Sequence, residues 1–220
     1  MRRANALQKV WAEDETVNIS QDMLKDLIET VATRIIDHAE ELTDLDKAIG
    51  DGDHGLNMKR GFEEVLATLD ETANKTPPDA LKTIGTTLVM KVGGASGPLY
   101  GTFFMALGKA IAADADAAPL AGVFGEAVDA VKKRGKSNAG QKTMLDVLVP
   151  VHEALARSDE GDIGRLRGVA HQAAEATVPM LATKGRASFL GERSIGHMDP
   201  GARSSALAIE AVCDVLEDRI

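Results

Sequence analysis

Residues 20–42 read SQDMLKDLIETVATRIIDHAEEL. Apolar residues fall at Leu24, Leu27, Ile28, Val31, Ile35 and Leu42, spaced so that a helix gathers them on one stripe. Lys25, Glu29 and Glu40 take the other faces. Ser20 suits the N-cap, although Met23 stands where a capping box would place an acid. The same period continues down the chain and predicts further helices over about 56–69, 78–92, 99–111, 120–133, 141–157, 163–182 and 203–217. Pro78 followed by Asp79 suits a helix start, whereas Pro150 is expected to bend the sixth helix and Pro179 lies within the seventh. Aromatic residues are only 3% of the chain, which favours helix over strand. The stretch Asp114–Pro119 reads as a loop between helices. Eight amphipathic helices on short connections predict an all-α, antiparallel up-and-down array.

The 220 residues fit one domain, with residues 1–19 as an N-terminal extension before a 20–220 domain. Lys and Arg total 25 against 34 Asp and Glu, a net charge of −9, which argues against a nucleic-acid-binding face. The one cysteine, Cys213, excludes a disulfide framework within the chain and fits a reducing compartment. No run approaches the roughly 18 apolar residues of a membrane span. The start, Met1-Arg2-Arg3-Ala4-Asn5, lacks the apolar stretch of a secretory signal. A cytoplasmic protein is the expectation.

Chemistry is concentrated in the connections. Glycines cluster at 50–55, 93–101, 135–140 and 185–201, after the first, third, fifth and seventh predicted helices. In an antiparallel array alternate connections share one end, so the four clusters meet at one rim. The first contains Asp46, Asp51 and Asp53 within eight residues. Carboxylates brought together repel unless a cation lies among them, and an all-oxygen set points to Mg²⁺ or Ca²⁺. The spacing fails as an EF-hand, because Gly falls at position seven from Asp44 and Gly55 occupies position twelve. Zinc is disfavoured by the missing cysteine ligands. Asp-Gly pairs also form ordinary turns, and Asp53 also reads as a helix cap. In the second cluster, the backbone N–H groups of Gly94, Ala95 and Ser96 precede a helix and suit an anion. It is neither a Walker A sequence nor a dinucleotide fingerprint.

Four strings together, Ile49-Gly50-Asp51-Gly52-Asp53-His54-Gly55 with Asn57-Met58, Gly93-Gly94-Ala95-Ser96-Gly97-Pro98-Leu99-Tyr100-Gly101, Gly140-Gln141-Lys142-Thr143-Met144-Leu145-Asp146, and Gly185-Arg186-Ala187-Ser188 through Asp199-Pro200-Gly201, resemble the nucleotide-binding L subunit family of dihydroxyacetone kinases. The resemblance implies an eight-helix barrel holding ADP or ATP at one rim with two Mg²⁺ ions on Asp46, Asp51 and Asp53. It implies nucleotide contacts from His54, Gly55, Leu56, Asn57, Ala95, Ser96, Gly135, Met144 and Arg186, and from the turn Asp199, Pro200 and Gly201. His197, in the last string, is also expected at the ligand, and Arg186 as a charge clamp. One departure is Gln141, where the family usually has an acid.

The implied reaction is phosphoryl transfer to dihydroxyacetone or a related short ketose, held covalently on a separate K subunit. A catalytic base therefore need not exist on this chain. The phosphoryl donor is either a phosphohistidine protein of a phosphotransferase system, with ADP as coenzyme, or ATP that exchanges with solution. Alternatives are the nucleotide module of a fatty-acid-type kinase and a nucleotide-sensing regulatory module. Neither nucleic acid nor membrane is an expected partner.

Overall fold

The computed structural model describes residues 19–113, 119–157 and 163–219. The expected N-terminal extension, apart from Ile19, and the expected loop at 114–118 lie outside the described residues. Ten α-helices and one 3₁₀ segment are found among the described residues, and no strand. They are α1 (Gln21–Asp37), α2 (Ala39–Ile49), α3 (His54–Ala67), α4 (Leu69–Ala73), α5 (Pro77–Lys91), α6 (Ser96–Ala113), α7 (Leu120–Gly135), α8 (Leu145–Arg157), α9 (Ile163–Glu175), 3₁₀ Arg186–Ser194 and α10 (Pro200–Glu217).

Caps set the starts. Ser20 accepts from Met23 N at 3.2 Å. Thr76 caps α5, with Pro77 and Pro78 in the first turn, where their missing N–H groups cost nothing. Asp199 accepts from Ala202 N at 2.7 Å and starts α10, again with a proline next.

Several expected boundaries are corrected. The first helix breaks at His38, whose ring Nδ1 lies 2.8 Å from Arg34 O, and resumes as α2 as far as Ile49. The sixth begins at Leu145 instead of 141, because Gly140 and Lys142 have positive φ and form a turn. The seventh ends at Glu175, not 182. Thr177 there turns its hydroxyl back onto Ala174 O, and Pro179 cannot continue a helix. The last starts at Pro200, three residues earlier than expected. Pro150 lies inside α8 without dividing it.

Packing follows chain order. Helices α5 to α10 each pack on the next, α10 returns to α1, α1 packs on α3, and α3 on α5, closing a ring. Ile35, Leu42, Met58, Leu88, Val128, Leu145 and Leu207 are among its fully buried side chains. Burying each such side chain contributes roughly 1.5–3 kcal/mol. The connections α2–α3, α5–α6, α7–α8 and the long α9–α10 segment, which carry the four glycine clusters, are thereby set between the ends of the ring's helices.

Candidate nucleotide and metal site

Asp46 lies in the last turn of α2 and is buried. Its Oδ2 accepts the backbone N–H of Asp53 at 2.9 Å and of His54 at 3.1 Å, which folds the loop back on itself. Gly50 permits this: a Cβ there would lie 2.0 Å from Asp46 Oδ1. The result brings carboxylate oxygens of Asp46, Asp51 and Asp53 within 4.8 Å of one another. Such an all-carboxylate set suits a hard divalent cation and nothing softer. Arg186 Nη2, from the opposite wall, lies 2.9 Å from Asp51 Oδ2.

These groups open onto a cleft at the rim, lined from the other side by the Gly93–Ser96 turn and the Lys184–Ala187 stretch. Of the residues singled out from the sequence, Asp46, Asp51, Asp53, His54, Ala95, Ser96, Met144, Arg186, Asp199, Pro200 and Gly201 line it. Gly55, Leu56, Asn57 and Gly135 do not. Gly55 lies at the crossing of α2 and α3, where a Cβ would come within 1.9 Å of Ala39 O. Leu56 points outward, 62% exposed. Asn57 accepts from Arg60 Nη2 at 2.9 Å. Gly135 ends α7. His197 is exposed and outside the lining.

Beneath the rim lies a buried polar network. The ring nitrogens of His54 are both taken: Nδ1 is 3.0 Å from Ser96 Oγ and Nε2 is 2.9 Å from Ser204 Oγ. The Ser204 hydroxyl donates to Pro200 O at 2.9 Å, so it accepts from His54 Nε2, which assigns the neutral Nε2–H tautomer. Tyr100 OH adds bonds to Ser204 Oγ at 2.8 Å and Ser205 Oγ at 2.9 Å. Burial holds the His54 pKa below its ordinary value, against the opposing pull of Asp46 and Asp53. It also pushes the Tyr100 phenol up to about 12. The network joins α3, α6 and α10, three elements that supply the cleft wall. The His54 side chain is thus committed to protein partners.

Asp199 is buried at the head of α10. Burial pushes its carboxyl up to about 7, although the Ala202 N–H and the ammonium of Lys142 favour the charged form. Asp146, at the start of α8, binds the turn before it, accepting from Gly140 N at 2.5 Å and Thr143 N at 2.7 Å. Gln141 Oε1 accepts from Asn138 N at 2.9 Å and so closes its own turn. Sequence reasoning did not single out Lys142, Thr143, Lys184 or Tyr100 as contributors, yet all four line the cleft. The motif string around Lys142 was the available signal.

A closed ring of helices thus sets a carboxylate trio, a glycine turn, a helix N-terminus and the basic residues Lys142, Lys184 and Arg186 around one cleft. The chain belongs to the DAK2 domain family, which matches residues 48–214. It is 49% identical over 180 residues to the ADP-binding subunit DhaL of PEP-dependent dihydroxyacetone kinase 1 of Listeria innocua, covering 81% of this chain and 88% of that one. It is 48% identical over 174 residues to the corresponding DhaL subunit of Escherichia coli, covering 76% and 83%. Among solved structures, the dihydroxyacetone kinase from C. freundii in complex with AMP-PNP and Mg²⁺ superposes with a TM-score of 0.73 at 25% identity. That match covers 92% of this chain and 35% of the other. No helix among the described residues is long and apolar enough to cross a membrane.

Proposed function

We propose that this chain is the nucleotide-binding subunit of a dihydroxyacetone kinase. It would hold ADP or ATP in the rim cleft and pass a phosphoryl group to a short ketose carried by a separate K-type subunit. The observation that carries this reading is the convergence of Asp46, Asp51 and Asp53 opposite the Gly93–Ser96 turn and Arg186, all on one cleft. The relatives named as ADP-binding subunits of PEP-dependent kinases support ADP as a retained coenzyme, recharged by a phosphohistidine protein.

Asp46, Asp51 and Asp53 would hold Mg²⁺, two ions in this reading, which when bound neutralises charge on the transferred phosphoryl group. The chain's own contribution is positional. The backbone N–H groups around Gly94 and Ser96, at the start of α6, would face anionic oxygens of the nucleotide. Arg186, two-thirds exposed and bonded to Asp51, is placed to exchange that carboxylate for a phosphate oxygen. The His54 ring, with both nitrogens engaged, is not free to act as a base toward an acceptor hydroxyl. Deprotonation of the ketose would fall to the K subunit.

Native mass spectrometry of the purified chain with and without EDTA tests the reading. Added mass equal to ADP plus two Mg²⁺, lost with chelator, is the expected result. Protein that gains mass only with added ATP and Mg²⁺ would replace the coenzyme mode with an exchanging one. Protein that stays bare in both conditions would overturn the reading.

A further inference from the structure

Lys142 is the largest fully buried side chain among the described residues, 1% exposed. It also has a positive φ of 63°, a conformation unfavourable for a residue with a Cβ. Two costs, a buried ammonium and a strained backbone, therefore coincide at one position of the cleft wall. Both are sustained by what the side chain reaches. Nζ donates to Ser194 O at 2.6 Å, Met180 O at 3.0 Å and Val178 O at 3.4 Å. An ammonium has three protons, and all three are given to the protein, so none remains for a ligand.

The three acceptors belong to one stretch, residues 176–199, which leaves α9 and reaches α10 with only 3₁₀ and turn structure. A segment of that kind has few internal backbone bonds, and its inward carbonyls need donors from elsewhere. This stretch also carries Lys184 and Arg186 and ends on the Asp199-Pro200-Gly201 turn, all at the cleft. We propose that Lys142 is a positioning residue for the nucleotide site: its ammonium pins the 176–199 segment to the Gly140–Met144 turn and thereby sets where Arg186 and the Asp199 turn meet the ligand. The proposal rests on the nucleotide reading above. A neutral side chain of similar length leaves the buried Ser194 carbonyl and the part-buried Met180 carbonyl without this donor, whereas Val178 O keeps the Gly196 N–H at 2.8 Å, so the pin needs the charge and not the bulk.

The test, run in a Cys213→Ala background so that no other thiol reacts, compares the full-length chain with Lys142→Met and with Lys142→Cys alkylated by bromoethylamine during refolding, which rebuilds an ammonium at the same reach. ADP with Mg²⁺ is the probe, measured by calorimetry, with backbone hydrogen exchange followed by mass spectrometry. The expected result is a rise of about tenfold or more in the Lys142→Met dissociation constant, faster exchange confined to 176–199, and recovery of both in the alkylated variant. ADP affinity within twofold of the parent, or exchange that rises equally through every helix, would overturn the proposal. So would a loss that the restored ammonium fails to repair.

Where Lys142→Met does not fold, lysine side-chain ¹⁵N spectra of the parent protein decide. One slowly exchanging ammonium signal, which moves when ADP and Mg²⁺ are added, is expected. Its absence, or its indifference to the nucleotide, sinks the pin. Failure of the parent itself to bind ADP would instead count against the nucleotide reading, and the protected ammonium would show whether the pin exists without it.

Discussion

The carboxylate of Asp46 and the backbone N–H of His54, eight residues apart in sequence, lie 3.1 Å apart across the first glycine loop. The same oxygen also takes the Asp53 N–H, so one side chain both shapes the loop and joins the carboxylate trio. Asp51, in contrast, is exposed and bonds only Arg186 within the cleft. The two aspartates thus contribute differently, and substitutions separate the roles.

Asp51→Ala removes one carboxylate of the trio without touching the loop's own bonds. Retention of ADP in the presence of Mg²⁺ should be lost while the circular dichroism and melting temperature stay near those of the parent. Asp46→Ala should lose ADP as well and also melt lower, by about 1–3 kcal/mol, since two buried N–H groups lose their acceptor. Equal melting of the two variants would contradict this division.

Chelation and re-addition of metal give a second check. EDTA should release bound nucleotide, and Mg²⁺ should restore binding. Zn²⁺ should restore it poorly, because the trio offers only carboxylate oxygen and neither sulfur nor imidazole. Equilibrium dialysis with ADP reads all three.

Ser204→Ala strips His54 Nε2 of its partner and leaves Tyr100 with Ser205 and Gly201. A cost of about 1–3 kcal/mol in urea unfolding is expected for a buried donor left unsatisfied. Ser205→Ala, which leaves the His54 bonds intact, should cost less.

Asp199 carries a pH signature. Its folded pKa of about 7 exceeds the ordinary carboxyl value of 3.8, so the folded state binds more protons between those limits. Stability contributed through this group is present below about pH 4 and declines as pH rises towards 7. Asn in its place keeps an acceptor for the Ala202 N–H and cannot ionise. Urea midpoints of Asp199→Asn should therefore gain on the parent between pH 4 and 7, by on the order of 3 kcal/mol at the upper end. A difference independent of pH would refute it.

The helices and the loops that carry chemistry were legible because they rest on local patterns. The 3.6 period of Leu24, Ile28, Val31 and Ile35 needs no partner to be read, and the aspartates and glycines of the 46–55 loop announce themselves by composition. Less legible were features fixed by contact. The break at His38 and the end of α9 at Glu175 depend on side chains bonding back to Arg34 O and Ala174 O, choices made against competing helix. Gly55 looked like a ligand contact, yet what requires it in the fold is the crossing with Ala39. Lys142 shows the limit most plainly, since lysine is ordinarily a surface residue and only three distant carbonyls draw this one inside.

The closure of α10 onto α1 has a consequence for the order in which the molecule comes together. Every other neighbour in the ring is much nearer in the chain, whereas this seam joins segments about 180 residues apart and carries the largest closure entropy. The carboxylate trio lies on one side of the seam and the Asp199 turn on the other, with His54 and Ser204 meeting across it at 2.9 Å. A chain that has folded every helix but not shut this seam holds only half a cleft. A complete cleft therefore requires this seam to be shut, and an occupant touching both sides would act as a clasp across it.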